Sequence, residues 1–184
     1  DLEDIVREIE KLLRDLERKA REIHERDERL ARDLERKHRD IIREIERLLD
    51  ELRERVERLP VDDELRKEIR KRLEDIKDLL RRSTEKLKKL KRESEEKNKK
   101  LIRELKKVLD DIRREVEDIR RKPVDRKKVE EELERVRRII KELERRLREL
   151  HKENKKLLDE ILEESKRLAE EVRKTIEDIK RKIK

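Results

Sequence analysis

The stretch LEDIVREIEKLLRDLERKA, residues 2–20, sets a pattern that continues through the first third of the chain. Its main apolar stripe is Leu2, Ile5, Ile9, Leu12, Leu16 and Ala20. The steps of 3, 4, 3, 4 and 4 then recur as far as Leu59, which makes 18 residues per five turns, or 3.6 residues per turn. A period of 3.6 matches a straight α-helix, whereas a heptad period imposes a left-handed supercoil. The stretch therefore predicts a long, nearly untwisted, amphipathic helix.

Composition supports helices and excludes several chemistries. Of the 184 residues, 63% are charged and 30% apolar, and Gly, Cys, Met, Phe, Tyr and Trp are all absent. Such a high charge content suggests disorder, but a disordered segment does not require apolar residues at regular helical spacing. Without cysteine there is no disulfide and no thiol chemistry. No apolar run reaches the roughly 18 residues of a membrane span, and no signal peptide is recognisable.

The tripeptide Pro-Val-Asp occurs twice, at Pro60 and at Pro123, and these are the two prolines of the chain. Proline ends the preceding helix, and Asp62 and Asp125 are suitable N-caps for the next one. We expect helices at about 1–59, 62–121 and 125–184, each roughly 90 Å long. Turns this short favour antiparallel neighbours. The prediction is an all-α protein, a single antiparallel up-down-up three-helix bundle over residues 1–184.

The outer surfaces and the width of the stripe agree with a bundle. Apolar doublets such as Ile5-Val6 and Leu48-Leu49 widen the stripe, as suits a helix that touches two neighbours. Val124 and Val129 stand at the positions of a hydrophobic staple around the second turn. Glu-to-Arg pairs four residues apart should form ion pairs on the exposed faces. These pairs are Glu3–Arg7, Glu10–Arg14 and Glu17–Arg21.

Several polar residues interrupt the apolar stripes at positions where Leu or Ile would be expected. Antiparallel helices with short turns place His24 opposite Asn98, and His38 opposite Thr84. The interruptions then fall into two layers. The first layer is His24, Asp27, Ser94, Asn98 and His151, with Asn154 one turn away; the second is His38, Ser83, Thr84 and Ser165. We interpret these residues as buried hydrogen-bond networks that specify one register, because buried polar groups are costly unless they are paired.

The 18-residue repeat, the repeated turn, the Glu/Lys/Arg surfaces and the polar layers resemble computationally designed helical bundles. The resemblance covers the whole chain but includes no catalytic motif. It implies straight helices and buried networks that provide specificity, high stability, no natural biochemical function and recombinant expression rather than a native cellular location. Such networks often use Asn, Gln, Ser and Thr, so the histidines here are a departure that suggests a response to pH.

Some residues of the chain are also compatible with other functions. His24, Asp27 and His151 are the residues that could converge on a metal. The basic segment 86–100 could bind nucleic acid, but it also carries Glu93, Glu95 and Glu96 and no stacking aromatic residue. Spectrin-type repeats and membrane-curvature coiled coils also form long three-helix structures, usually with aromatic core residues. Catalysis has no support from spacing, and a chain without glycine offers no oxyanion-binding loop of the usual kind.

The sequence therefore predicts a designed structural scaffold that is not an enzyme. It needs no cofactor, metal or partner, and we expect a monomer that binds neither nucleic acid nor membranes, although the doublets leave self-association as an alternative. A pH-responsive or metal-binding designed module is the competing function. Neutral buried histidines would weaken folding as the pH falls, whereas a charged histidine paired with Asp27 would give the opposite sign.

Overall fold

Three long helices make up the protein in a computed structural model that describes residues 2–122 and 124–183. They are α1 (Leu2–Arg58), α2 (Asp63–Arg121) and α3 (Arg126–Lys182), of 57, 59 and 57 residues. No strand occurs in the described residues, so the prediction of an all-α protein with three helices is confirmed. None of these helices contains an apolar segment long enough to cross a membrane.

The first connection has the capping contacts expected from its Pro-Val-Asp sequence. The backbone N–H of Glu64 donates to the Asp62 carboxylate at 3.4 Å, and the N–H of Arg66 donates to the Asp62 carbonyl at 2.9 Å. The Arg66 guanidinium also donates to the Leu59 carbonyl at 3.1 Å, near the end of α1. Asp62 therefore satisfies N–H groups that the first turn of α2 would otherwise leave free.

The start of α3 has a similar backbone cap. The Asp125 carbonyl accepts from the N–H groups of Lys128 and Val129, and Val124 packs in the same apolar cluster as the fully buried Val129. This packing agrees with the predicted hydrophobic staple. The turn predicted at Pro123 lies outside the described residues, as do the chain ends predicted at positions 1 and 184.

The described residues divide into two compact units, each with one segment from every helix. The first unit, within residues 1–29 and 93–155, has a continuous aliphatic core. Its fully buried side chains include Ile9 and Leu16 from α1, Leu109 from α2 and Val136 from α3. Because the stripe of each helix contributes, burial in this unit follows the 3.6-residue period of the sequence.

The second unit, within residues 30–92 and 156–184, contains two apolar clusters. The larger cluster includes Ile45 and Leu49 from α1, Ile69 from α2 and Ile179 from α3. The smaller one forms around Leu34, Leu87 and Leu158. Leu49 belongs to one of the doublets, and its burial shows that the doublets widen the contact surface of the helix.

Two of the three ion pairs expected within α1 are replaced by contacts between helices. Glu3 and Arg7 approach to 3.9 Å, as expected. Glu10 instead lies 2.7 Å from Arg120 of α2, and Glu17 lies 2.5 Å from Arg113. A long arginine on the neighbouring helix reaches these carboxylates as easily as the residue one turn along. Sequence spacing within one helix does not distinguish the two partners.

Truncating buried and exposed leucines in the second unit should have clearly different effects. Leu49 is 1% exposed and Leu79 is 44% exposed. We expect Leu49→Ala to lower the free energy of unfolding by about 2–5 kcal/mol, because it leaves a cavity. The matched variant Leu79→Ala should cost less than about 1 kcal/mol. Guanidinium unfolding followed by circular dichroism measures both, and equal losses would contradict the described burial.

Candidate functional site: two buried polar clusters

A buried carboxyl group stands at the centre of the first polar cluster. Asp27 is 5% exposed, and its Oδ2 accepts from the side-chain amides of Asn98 at 3.1 Å and Asn154 at 3.4 Å. Its other oxygen contacts Nδ1 of His151. The Asn154 amide also lies 2.9 Å from Oδ1 of Asn98, to which it donates. We call these four residues the Asp27 cluster; they come from α1, α2 and α3, all within the first unit.

The hydrogen bonds of the Asp27 cluster explain how a carboxyl group is tolerated among Leu and Ile side chains. An unpaired buried carboxylate costs many kcal/mol, whereas hydrogen bonds to charged groups each contribute about 1.5–3 kcal/mol. Asn98 and Asn154 are themselves buried, at 7% and 1% exposure. Since every donor to Asp27 comes from another helix, the cluster is satisfied only when all three helix segments lie at matching heights.

Asn154 lies closer to the centre than the sequence suggested, while His24 and Ser94 lie outside the hydrogen-bonded group. His24 is half-buried, and its Nε2 lies 3.0 Å from Glu28, one turn along the same helix. Its buried Nδ1 has no hydrogen-bond partner among the described residues. Ser94 is half-buried and takes no part in the hydrogen bonds of the Asp27 cluster. Asn98, Asn154 and His151 already surround the Asp27 carboxyl, which leaves His24 to pair locally.

The second cluster, within the second unit, is centred on an imidazole. His38 is 3% exposed, with Nδ1 2.9 Å from the Ser165 hydroxyl and Nε2 3.2 Å from the Thr84 hydroxyl. The Ser165 hydroxyl donates to the Ile161 carbonyl at 2.9 Å and lies 3.5 Å from the Ser83 hydroxyl. The Thr84 hydroxyl donates to a backbone carbonyl one turn earlier at 3.1 Å. We call His38, Ser83, Thr84 and Ser165 the His38 cluster; all four predicted members of this layer lie together.

The environment of His38 disfavours its charged form. Its hydrogen-bond partners are hydroxyl groups, and burial lowers the pKa of His38 from its ordinary value of 6.5. A protonated imidazole would carry a charge into a site from which water is largely excluded. His38 is therefore neutral at physiological pH.

A third polar group, on the surface of the first unit, was not singled out from the sequence. The Arg135 guanidinium contacts both Glu115 and Glu132, and the distance to Glu132 is 2.9 Å. The hydrogen bond with Glu132 raises the pKa of the Glu115 carboxyl. The sequence signal is weak, because each of the three residues is an ordinary member of a Glu/Arg surface. Only the register of α2 against α3 brings them together.

The described residues contain no group of three or more His, Asp or Glu side chains arranged to hold a metal ion. The set His24, Asp27 and His151 does not form such a group, because His24 pairs with Glu28. The arrangement offers buried hydrogen bonding and one titratable imidazole that is 3% exposed. Comparison of the chain with family models, with curated proteins and with solved structures gave no match.

The lowered pKa of His38 predicts a loss of stability in acid. The pKa of His38 in the folded protein lies below its unfolded value of 6.5. The stability that depends on neutral His38 is therefore fully present above pH 6.5, and it is lost as the pH falls towards the folded pKa. We expect His38 to lower the guanidinium midpoint between pH 7.5 and pH 5.5. The midpoint should therefore fall less, or rise more, over this range in His38→Leu than in the wild-type protein.

The comparison with His38→Leu isolates the pH effect of His38, because the wild type and the variant both retain His24 and His151. The Thr84 and Ser165 hydroxyls keep their backbone carbonyl partners in this variant, so it should fold. An identical pH dependence in the two proteins would show that His38 does not titrate differently on folding.

Proposed function

We propose that this protein is a designed structural scaffold, in which three nearly untwisted helices run up, down and up as a monomeric bundle over residues 1–184. In this proposal the Asp27 and His38 clusters select one register and one arrangement of the helices. The protein has no natural substrate, and its activity is to hold this shape. The observation that carries the proposal is the convergence of α1, α2 and α3 on the Asp27 carboxyl.

The order of contacts along the helices supports the antiparallel arrangement. Between α1 and α2 of the first unit, Glu17 contacts Arg113. The earlier Glu10 contacts Arg120, which comes later in α2. Between α1 and α3 of the same unit, the numbers rise together, from Glu8–Arg137 to Asp27–His151. Falling numbers for one pair and rising numbers for the other are what an up-down-up path would produce.

The same alternation occurs in the second unit. Glu57 of α1 contacts Arg70, whereas Glu35 contacts the later Lys91. Against α3, His38 contacts Ser165 and Glu44 contacts Arg173, so these numbers again rise together. Two units therefore support one topology independently.

Short turns fix the register only roughly, and three amphipathic helices can pack with α3 on either side of the α1–α2 pair. Aliphatic side chains tolerate both arrangements, because dispersion and burial are not directional. Hydrogen bonds are directional, and a buried polar group left unpaired costs about 1–3 kcal/mol. The Asp27 cluster would therefore penalise the alternatives more than it stabilises the native fold, as a buried Asn does in coiled coils.

A designed origin accounts for features that are otherwise unconnected. They include the repeated Pro-Val-Asp turn, the 18-residue repeat and the absence of glycine, methionine and aromatic residues. Idealised backbones need no residue with a positive φ angle, and none occurs among the described residues.

A pH-responsive module is the second candidate, and it is favoured by one observation, the buried His38 with its lowered pKa. Under this alternative, acid would open the second unit by protonating His38. The two functions differ in which cluster matters: the scaffold depends on the Asp27 cluster, whereas the module depends on protonation of His38 below pH 6.5.

Replacing the Asp27 cluster with leucine tests the scaffold proposal. Asp27→Leu alone should lower the free energy of unfolding by about 1–3 kcal/mol, because it removes the acceptor of the Asn98 amide and the partner of His151 Nδ1, while Asn154 still donates to Asn98. The triple variant Asp27→Leu, Asn98→Leu, Asn154→Leu should regain that stability or exceed the wild type. Guanidinium unfolding measures both effects.

Whether the helices adopt a single arrangement is measured separately, from the distances between pairs of spin labels determined by double electron–electron resonance. The chain contains no cysteine, so labels at Arg14→Cys and Arg114→Cys, or at Arg14→Cys and Lys141→Cys, are specific. We expect one narrow distance distribution in the wild-type background and broad or multiple distributions in the triple variant. A narrow, unchanged distribution in a stable triple variant would contradict the proposed role of the cluster.

A further inference from the structure

A surface groove lies between α1 and α2 in the first unit, beside the Asp27 cluster but outside its hydrogen bonds. Its volume is about 520 Å³. Side chains of both helices line it. The groove forms at Ala20, a buried position where the α1 stripe carries a methyl group in place of the larger Leu or Ile found at most other positions. Its volume falls within the range of small-molecule sites.

The floor and the rim of the groove have different chemistry. Ala20, Ile102 and Leu105 form an apolar floor. The rest of the lining consists of four basic side chains, His24 and Glu17. The basic side chains are Arg21, Lys99, Arg103 and Lys106. The long aliphatic stems of Arg and Lys extend apolar surfaces while their charged ends remain in water. The groove is therefore apolar inside and cationic at its edge.

Three of the four rim cations have no ion-pair partner among the described residues. Arg21, Arg103 and Lys106 form no ion pair with any of the described residues, and Lys99 has one long, exposed contact of 3.9 Å with Glu96. The acid in the lining, Glu17, is engaged by Arg113 at 2.5 Å. This is the pairing that replaces the expected Glu17–Arg21 contact and leaves Arg21 available.

We propose that this groove binds small amphipathic organic anions, with the apolar part of the ligand on Ala20, Ile102 and Leu105 and the acidic group among Arg21, Lys99, Arg103 and Lys106. Charge complementarity specifies an anion, since the rim has four cations and one acid that is already paired. The apolar floor requires a ring system or a short chain, because inorganic anions would leave it in water.

The probe for this proposal is 8-anilinonaphthalene-1-sulfonate, whose fluorescence rises in apolar surroundings. Its uncharged analogue N-phenyl-1-naphthylamine has the same ring systems without the sulfonate and isolates the contribution of charge. We expect one saturable site for the sulfonate, which weakens as sodium chloride is added. The uncharged analogue should bind more weakly, with little dependence on salt.

A matched pair of double variants tests the rim. Arg103→Gln with Lys106→Gln removes two groove cations, and Arg114→Gln with Lys107→Gln removes two exposed cations of α2 that do not line the groove. Both variants have the same composition and net charge. The first should bind the sulfonate about three- to tenfold more weakly, as expected for two partly solvated charge pairs. The second should bind like the wild type, and neither should alter binding of the uncharged analogue.

Ile102→Glu tests the floor, because it places a carboxylate on the apolar surface and should reduce binding of both probes. Circular dichroism confirms that each variant is folded. Equal weakening by the two double variants would overturn the proposal, since it would assign the binding to overall charge. Fluorescence that does not saturate, or that Ile102→Glu leaves unchanged, would also overturn it by placing the probe elsewhere. None of these outcomes depends on whether the Asp27 cluster sets the register.

Discussion

The Asp27 carboxyl cannot be buried unless three side chains from two other helices reach it. This requirement connects the local sequence of α1 to the positions of α2 and α3 in the first unit. Aliphatic contacts provide most of the favourable free energy of folding, but they vary gradually as helices slide or rotate. The hydrogen bonds to Asp27 change abruptly, because distance and angle limits are narrow. In the proposed scaffold, the stable core and the specific arrangement therefore come from different residues.

The two polar clusters differ in their central group, which is a carboxyl in the Asp27 cluster and an imidazole in the His38 cluster. In the Asp27 cluster, amide and imidazole groups converge on one acid, so removal of the acid affects several partners at once. In the His38 cluster, the hydroxyls of Ser165 and Thr84 each have a backbone carbonyl of their own helix within hydrogen-bond distance. Loss of the imidazole therefore leaves both hydroxyls with a partner. Removal of the central group should consequently be less costly in the His38 cluster than in the Asp27 cluster.

Much of the fold could be predicted from residue spacing, because apolar periodicity and two prolines determine where long helices begin and end. The grouping of His38 with Ser83, Thr84 and Ser165 could also be predicted, whereas His24 and Ser94 lie outside the Asp27 cluster in which they were expected. The partner that each charged side chain contacts could not be predicted, because several oppositely charged side chains lie within reach of it. Glu17 had Arg21 one turn away and Arg113 on α2, and it contacts Arg113. His24 had Asp27 and Glu28 within reach, and its Nε2 pairs with Glu28. Spacing within a helix carries no information on these outcomes.

The hydrogen bonds around His38 have a consequence for where its single ring proton resides. A neutral imidazole has one N–H donor and one bare nitrogen that must accept. Ser165 and Thr84 flank the two nitrogens, and each hydroxyl also lies within hydrogen-bond distance of a backbone carbonyl. One of these hydroxyls must rotate its proton towards the ring, and the choice selects the tautomer. The tautomer of His38 on α1 is thus coupled to the orientation of the Thr84 hydroxyl on α2 and the Ser165 hydroxyl on α3.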